Sequence, residues 1–289
     1  MEVINCPICG SNKNIFYYKK NNCDLHRCFN CKLVFVWPVP ANLQDVYQEN
    51  YYKGASVNND TFGYSDYDKD KEPMREIFIA YLKKLEKLSP GKKIFDIGCA
   101  NGYFLDLAKQ RGWQTYGVEI SEYGANEARK KGHEVFHSSD LSGIDLKFDC
   151  ITMWDVLEHI QSPVEYMQAV NKLLNINGIV AINTIDKSSW WAKFWGKRWN
   201  AIVPPEHLLF FSRNNLLLLL KNTKFNVFSV QKVGKFFSLS YIFKVLYHWQ
   251  KLQIYQKLST YLAKPFWQQF KIPINLRDNI LVIAKKDHV

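Results

Sequence analysis

Two Cys-x-x-Cys pairs, Cys6-Pro7-Ile8-Cys9 and Cys28-Phe29-Asn30-Cys31, stand 18 residues apart near the start of the chain. Each pair sets two thiolates on one tight turn, and two such turns close a tetrahedral four-sulfur site for zinc. A closed shell leaves no position for water or substrate, so the zinc is expected to be structural. Cys23 and His26 lie between the pairs and are alternative ligands, although four thiolates complete the site without them.

A second kind of chemistry is written in Lys93-Ile94-Phe95-Asp96-Ile97-Gly98-Cys99-Ala100-Asn101-Gly102-Tyr103-Phe104-Leu105. A short apolar run, an acid, a turn of small residues and an amphipathic run read as a buried parallel strand that opens a helix. Small residues let backbone N–H groups and the helix N-terminus approach a ligand, and the acid can anchor a hydroxyl or an ammonium. A nucleoside pocket is the expectation. A dinucleotide fingerprint needs Gly-x-Gly-x-x-Gly, but here Ala100 takes the middle position and bulky Tyr103 the place of the third glycine.

Further acids follow at later strand ends. Trp113 to Glu119 reads as a second strand whose final carboxylate can accept from two ribose hydroxyls. His133 to Asp140 reads as a third, and Phe148 to His159 as a fourth with its loop. This ordered set resembles the motifs of class I S-adenosylmethionine-dependent methyltransferases, whose first motif is D/E-x-G-x-G-x-G. The resemblance implies S-adenosylmethionine as cofactor, held by Asp96, Gly98, Cys99, Gly102, Tyr103, Phe104, Glu119, Ile120, Asp140, Trp154, Asp155 and His159, with Asp140 near the adenine amino group. Tyr67, in a Tyr-rich stretch before the first strand, is added as a contact from above.

Methyl transfer to a hydroxyl needs a group that takes up the proton, and histidine suits that task near neutral pH. His207, in Val203-Pro204-Pro205-Glu206-His207-Leu208-Leu209-Phe210-Phe211-Ser212, and His159 are the catalytic candidates. For His207 the alternative is a histidine that bonds a backbone carbonyl to fix its loop. For His159 it is a helix cap or a cofactor contact. The segments WDVLEH, PPEHLLFFS and IPINLRDNILVIAKK extend the resemblance to bacterial methyltransferases with an N-terminal ribbon, commonly associated with surface-polysaccharide or small-molecule biosynthesis. Sugar C-methyltransferases carry a longer cysteine-rich domain, which disfavours transfer to carbon.

These sites require an α/β architecture. Helical spacing covers residues 74–88, broken by Pro90-Gly91, and helices are expected at 102–111, 122–131 and 163–174 between the strands. A fifth strand at 177–184 and two more near 225–233 and 279–285 complete a doubly wound, seven-stranded, mostly parallel sheet. The expected organisation is a zinc ribbon at 1–37, a lid segment at 38–75, and a methyltransferase domain at 76–289 with helical cap elements at 186–222 and 235–272.

Length and composition fit this plan. The 289 residues suffice for one large domain with an appendage, and no apolar run reaches the 18 residues of a membrane span. With no signal-peptide pattern and seven cysteines better read as ligands or buried thiols, the chain is expected to be cytoplasmic. The formal charge of +11 is uneven: residues 187–289 carry 17 Lys or Arg against 3 Asp or Glu, while residues 1–186 carry 21 against 24. Six of the nine tryptophans share the basic part. Such a face attracts an anionic partner.

The expected acceptor is therefore a sugar or glycan-related hydroxyl, nucleotide- or lipid-linked. Transfer to RNA is the competing reading, although no N/D-P-P-Y follows the fourth strand. A non-catalytic cofactor-binding protein is the third. The aromatic, basic tail suits peripheral contact with an anionic membrane or, alternatively, the core of a cap over the acceptor.

Overall fold

Alternation of short apolar runs with amphipathic ones folds as the spacing predicts, into a parallel sheet clad by helices on both faces. The computed structural model describes residues 3–40, 68, 71–250, 252–268 and 271–287. Its main strands are β4 (Lys93–Ile97), β5 (Gln114–Glu119), β6 (Glu134–His137), β7 (Phe148–Trp154), β8 (Leu174–Ile185), β10 (Phe225–Ser238) and β11 (Lys271–Lys286). They lie in the order β10-β11-β8-β7-β4-β5-β6. The five from β8 to the β6 edge are parallel, and β11 runs antiparallel to both β8 and β10. The chain reverses direction across β4, with β5 on one side and β7 on the other, which opens a crevice at the carboxyl ends where such folds bind ligands.

Each face of the sheet buries its own core. On one side, α1 (Arg75–Leu88) sends in Phe78, Leu82 and Leu85 at helical spacing. They join α2 (Tyr103–Gln110) and α3 (Glu122–Lys130) over Ile94, Cys150 and Ile283. On the other side, α4 (Pro163–Leu173) and α6 (Arg213–Asn222) pack Met167, Val170, Leu216 and Leu220 around Phe95, Phe148 and Ile182. Residues 213–222, expected within a cap, are thus a body helix, started by a capping box between Ser212 and Asn215. Short α5 (Trp190–Trp195) precedes it, while α7 (Leu239–Gln250), α8 (Gln253–Leu262) and α9 (Pro265–Gln268) fill the long connection between β10 and β11.

The N-terminal residues form an antiparallel hairpin, β1 (Asn14–Lys20) and β2 (Cys23–Cys28), extended by β3 (Val34–Val36). Its fourth strand comes from far away: β9 (Leu209–Phe210) pairs with β3 through Val34 with Phe210 and Phe35 with Leu209. Leu25, Leu33 and Phe35 are buried in the same core as α4 and α6. Asn215 donates through Nδ2 to the Cys31 carbonyl at 2.6 Å, and Asn21 to that of Pro204 at 2.9 Å. The ribbon is therefore built into the body.

Candidate active site and four-cysteine cluster

The four sulfurs of Cys6, Cys9, Cys28 and Cys31 all lie within 4.8 Å of one another, with Cys6 to Cys31 at 3.5 Å and Cys9 to Cys28 at 3.6 Å. Tetrahedral zinc with Zn–S near 2.3 Å places sulfurs about 3.8 Å apart, so the donor set fits that ion. Cys23 is buried on β2 and His26 packs its ring near Phe16 and Phe35, so neither belongs to the cluster.

At the carboxyl end of β4 the chain turns through Gly98 (φ +72°) and Ala100 (φ +50°) into Gly102 (φ +84°), which caps α2. A Cβ on Gly98 would stand 2.7 Å from Cγ2 of Val156, so glycine is needed there for space as well as for φ. The turn binds itself together. Gly98 and Cys99 N–H groups donate to the Val118 carbonyl, Gly102 N–H to that of Cys99, and Ala100 N–H to Oε2 of Glu119 at 2.9 Å. These donors therefore do not face a ligand as the small residues first implied; what the loop offers is a close-fitting surface. Cys99 buries its side chain against Gly117.

Glu119, at the end of β5, is 5% exposed and holds two backbone groups, Ala100 N–H through Oε2 and Ser121 N–H through Oε1, each at 2.9 Å. A carboxylate only accepts, which is the character a grip on ribose hydroxyls needs at this strand end. Asp96 lies beneath the loop, where Thr152 Oγ1 donates to it at 2.6 Å. Burial pushes its carboxyl up to about 8, against the pull of the Thr152 hydrogen bond and with a small push from Glu119. Asp140 is exposed beyond β6 and accepts from Ser142 N–H and Oγ, which hold its carboxyl below the usual range. Ile120 is half-buried between β5 and Ser121, the N-cap of α3.

Trp154 and Asp155, at the end of β7, line a cavity with Lys71, Met74, Phe78, Tyr81 and Gly234. Trp154 stacks on Tyr81 at 5.5 Å and meets Phe104 edge-on at 5.0 Å. Its buried indole Nε1 has no hydrogen-bond partner among the described residues, a vacancy a bound ligand would fill. With the Gly98 cradle and the buried Glu119 carboxylate at the end of β5, the crevice fits the nucleoside and amino-acid parts of S-adenosylmethionine. Tyr67 and most of the lid lie outside the described residues. The end of that segment does reach the loop: Asp68 accepts from Asn101 Nδ2 at 2.9 Å, and Tyr103 OH donates to Glu72 at 2.7 Å.

His159 and His207, 48 positions apart, meet edge to face with ring centroids at 4.8 Å. His159 ends the short 3-10 turn after β7, three residues beyond Val156, and His207 precedes β9. Each directs Nδ1 at a backbone carbonyl, His159 at Glu206 (2.6 Å) and His207 at Ala201 (2.8 Å). A carbonyl only accepts, so each Nδ1 carries a proton. The Nδ1 contact of His207 with the Ala201 carbonyl is the loop-fixing alternative, and the ring also meets His159. Glu158, which the sequence reading passed over, is buried beside them and accepts from Thr184 Oγ1 at 2.8 Å; burial raises its carboxyl above the usual range.

The methyltransferase-domain family matches residues 71–230, more than half of the chain. The chain belongs to that family. Its sheet order and crevice are those of class I S-adenosylmethionine-dependent methyltransferases. The ubiquinone biosynthesis O-methyltransferase of Idiomarina loihiensis is 28% identical over 156 residues, covering 50% of this chain and 62% of that protein. The enzyme of the same name from Pasteurella multocida is 26% identical over 128 residues, covering 38% and 53%. This methyltransferase thus spans less than two thirds of the curated relatives' length. Among solved structures, the YcgJ protein of Bacillus subtilis superposes with a TM-score of 0.54 at 14% identity, covering 74% of this chain and all of that one. A Bacillus halodurans protein gives 0.51 at 17% identity, covering 72% and 98%. Both likenesses are of fold. The matched region begins at residue 71, so the cysteine cluster lies outside it.

Proposed function

We propose that this methyltransferase methylates a hydroxyl of a sugar or glycan-related small molecule carried on an anionic nucleotide or lipid group. The observation that carries the reading is the meeting of His159 and His207, each with Nδ1–H on a backbone carbonyl, where His159 follows by three residues the Val156 that faces Gly98. When bound, S-adenosylmethionine supplies a sulfonium methyl, so that the acceptor oxygen gains an O–C bond as the C–S bond breaks and its electron pair stays on sulfur. The chain's own task is to orient the acceptor and receive its hydroxyl proton, which the imidazole pair does at Nε2 before passing it to water. The named activity of the two relatives, O-methylation, supports oxygen over carbon as the acceptor atom. A panel of nucleotide-linked and lipid-linked sugars, followed by S-adenosylhomocysteine release, should yield a methyl ether. Replacing His207 by alanine should then lower kcat by roughly 100-fold or more. Turnover of RNA alone, or donor binding with no acceptor methylated, would replace this reading.

The anionic carrier rests on the C-terminal surface. On α5 and the turn after it, Trp190, Phe194 and Trp195 are 55%, 73% and 39% exposed, and their rings pack with Trp191 rather than into the core. Lys193, Lys197 and Arg198 are exposed among them. Aromatic rings and basic chains on one short segment match a lipid headgroup layer, and no helix among the described residues is long and apolar enough to cross a membrane. The protein should co-sediment with vesicles rich in phosphatidylglycerol at low salt and leave them at high salt. Absence of binding at every ionic strength would favour a free sugar nucleotide.

A further inference from the structure

Glu158, His159 and His207 each offer a donor atom, and these atoms all lie within 4.8 Å of one another. Among the described residues, only the four cysteines form another such group. We propose that the three residues hold a divalent transition-metal cation, a second metal site distinct from the cysteine cluster. Three donors about 2.1 Å from a shared tetrahedral ion stand about 3.4 Å apart, so closing around it draws each donor in by up to about an ångström.

The surroundings are those of ligands already oriented. Both imidazoles spend Nδ1–H on a backbone carbonyl, at 2.6 and 2.8 Å, which fixes ring plane and tautomer with Nε2 as the donor. Metal-bound histidines are held in this way, and the outer hydrogen bond makes the inner nitrogen more basic. The Glu158 carboxyl is 1% exposed, and its Oε2 is steadied by Thr184 Oγ1 at 2.8 Å. A carboxylate at that depth needs compensating positive charge, and an ion shared with two imidazoles supplies it. The competing arrangement is a protonated His159 paired with the carboxylate, which would hold no ion.

Donor type narrows the cation. Two nitrogens and one oxygen, with no sulfur, suit zinc, cobalt, nickel or iron and contrast with the soft four-sulfur ribbon. Three protein ligands leave coordination positions open. If the O-methylation reading holds, on which this role rests, an acceptor hydroxyl fills one of them, and with both imidazoles given to the cation it is the cation's charge, in place of the histidine pair, that lowers the hydroxyl's pKa and releases its proton to water. Binding of the cation itself does not depend on the acceptor.

The test is calorimetric titration of cobalt(II) into the full-length protein with its ribbon zinc in place, followed by metal analysis. One cobalt per chain should bind while the zinc is retained, without the intense near-ultraviolet band of cobalt–thiolate bonding. His159→Ala and His207→Gln should each weaken binding by about tenfold or more. Thermal melting by circular dichroism on the same samples shows that each variant is folded, and S-adenosylhomocysteine binding reports separately on the donor site. No cobalt bound by the native protein, uptake that survives both replacements, or uptake only with zinc release would overturn the proposal.

Discussion

Glu119→Ala is expected to lower affinity for S-adenosylhomocysteine by about 100-fold, and at least tenfold, in calorimetry. A hydrogen bond to a charged group contributes about 1.5–3 kcal/mol, and about 1.4 kcal/mol is a factor of ten in binding. The ribose grip alone accounts for the lower figure. The larger one follows because Glu119 also anchors Ala100 N–H, which sits in the glycine loop at positive φ, and Ser121 N–H, which precedes α3. Removing the carboxylate leaves two buried donors without their acceptor and frees the surface on which the donor must lie. Glu119→Gln should fall between, since the amide keeps one accepting oxygen and turns an NH2 toward one of the two backbone donors. Binding within twofold of native for the alanine variant would remove Glu119 from the donor site.

The second large effect concerns the ribbon. Cys6→Ser or Cys31→Ser should abolish retention of one zinc and lower the melting temperature by about 10 °C, the shift given by a loss of 3–5 kcal/mol in a chain of this size. A free-standing ribbon could unfold alone and leave the body's transition where it was. Here the shared strand pair between β3 and β9 and the shared core around Leu25, Leu33 and Phe35 make the two unfold together. A single, earlier transition is expected by circular dichroism, with zinc counted by metal analysis. An unchanged melting temperature in protein shown to be zinc-free would contradict it.

Much of the body was legible because its signals are local. Strand-end acids, a turn of small residues and helical spacing after each strand gave β4, β5, β7, α2 and α3 to within a residue or two. The two C-terminal strands were found in place but fell short, β10 running on to Ser238 and β11 starting at Lys271. What stayed hidden depends on contacts between distant segments. β9 has two residues, too few to show alternation, and Leu209-Phe210 reads as part of an apolar loop until β3 is placed beside it. The meeting of His159 with His207 follows from that pairing, since Leu208 N–H donates to the Glu158 carbonyl and its O accepts from Val36 N–H. Glu158 gave a faint signal, an acid beside a histidine in WDVLEH, but its burial is set by Thr184 on another strand. The glycine loop misled differently: its composition was read correctly, while its N–H groups turned inward to Val118 and Glu119.

The pairing of β3 with β9 also orders events at the ribosome. The four cysteines emerge early, but the strand that completes their sheet follows only after residues 209–210 are made. At about 5–20 residues per second that interval lasts roughly 10–35 s, long compared with the microseconds in which a hairpin forms. Zinc captured by the nascent hairpin would precede docking, and a metal-bound ribbon would present β3 as a ready edge when β9 appears. A newly made chain starved of zinc would meet that moment without its template, leaving the loop that carries His207 to settle with no strand to follow.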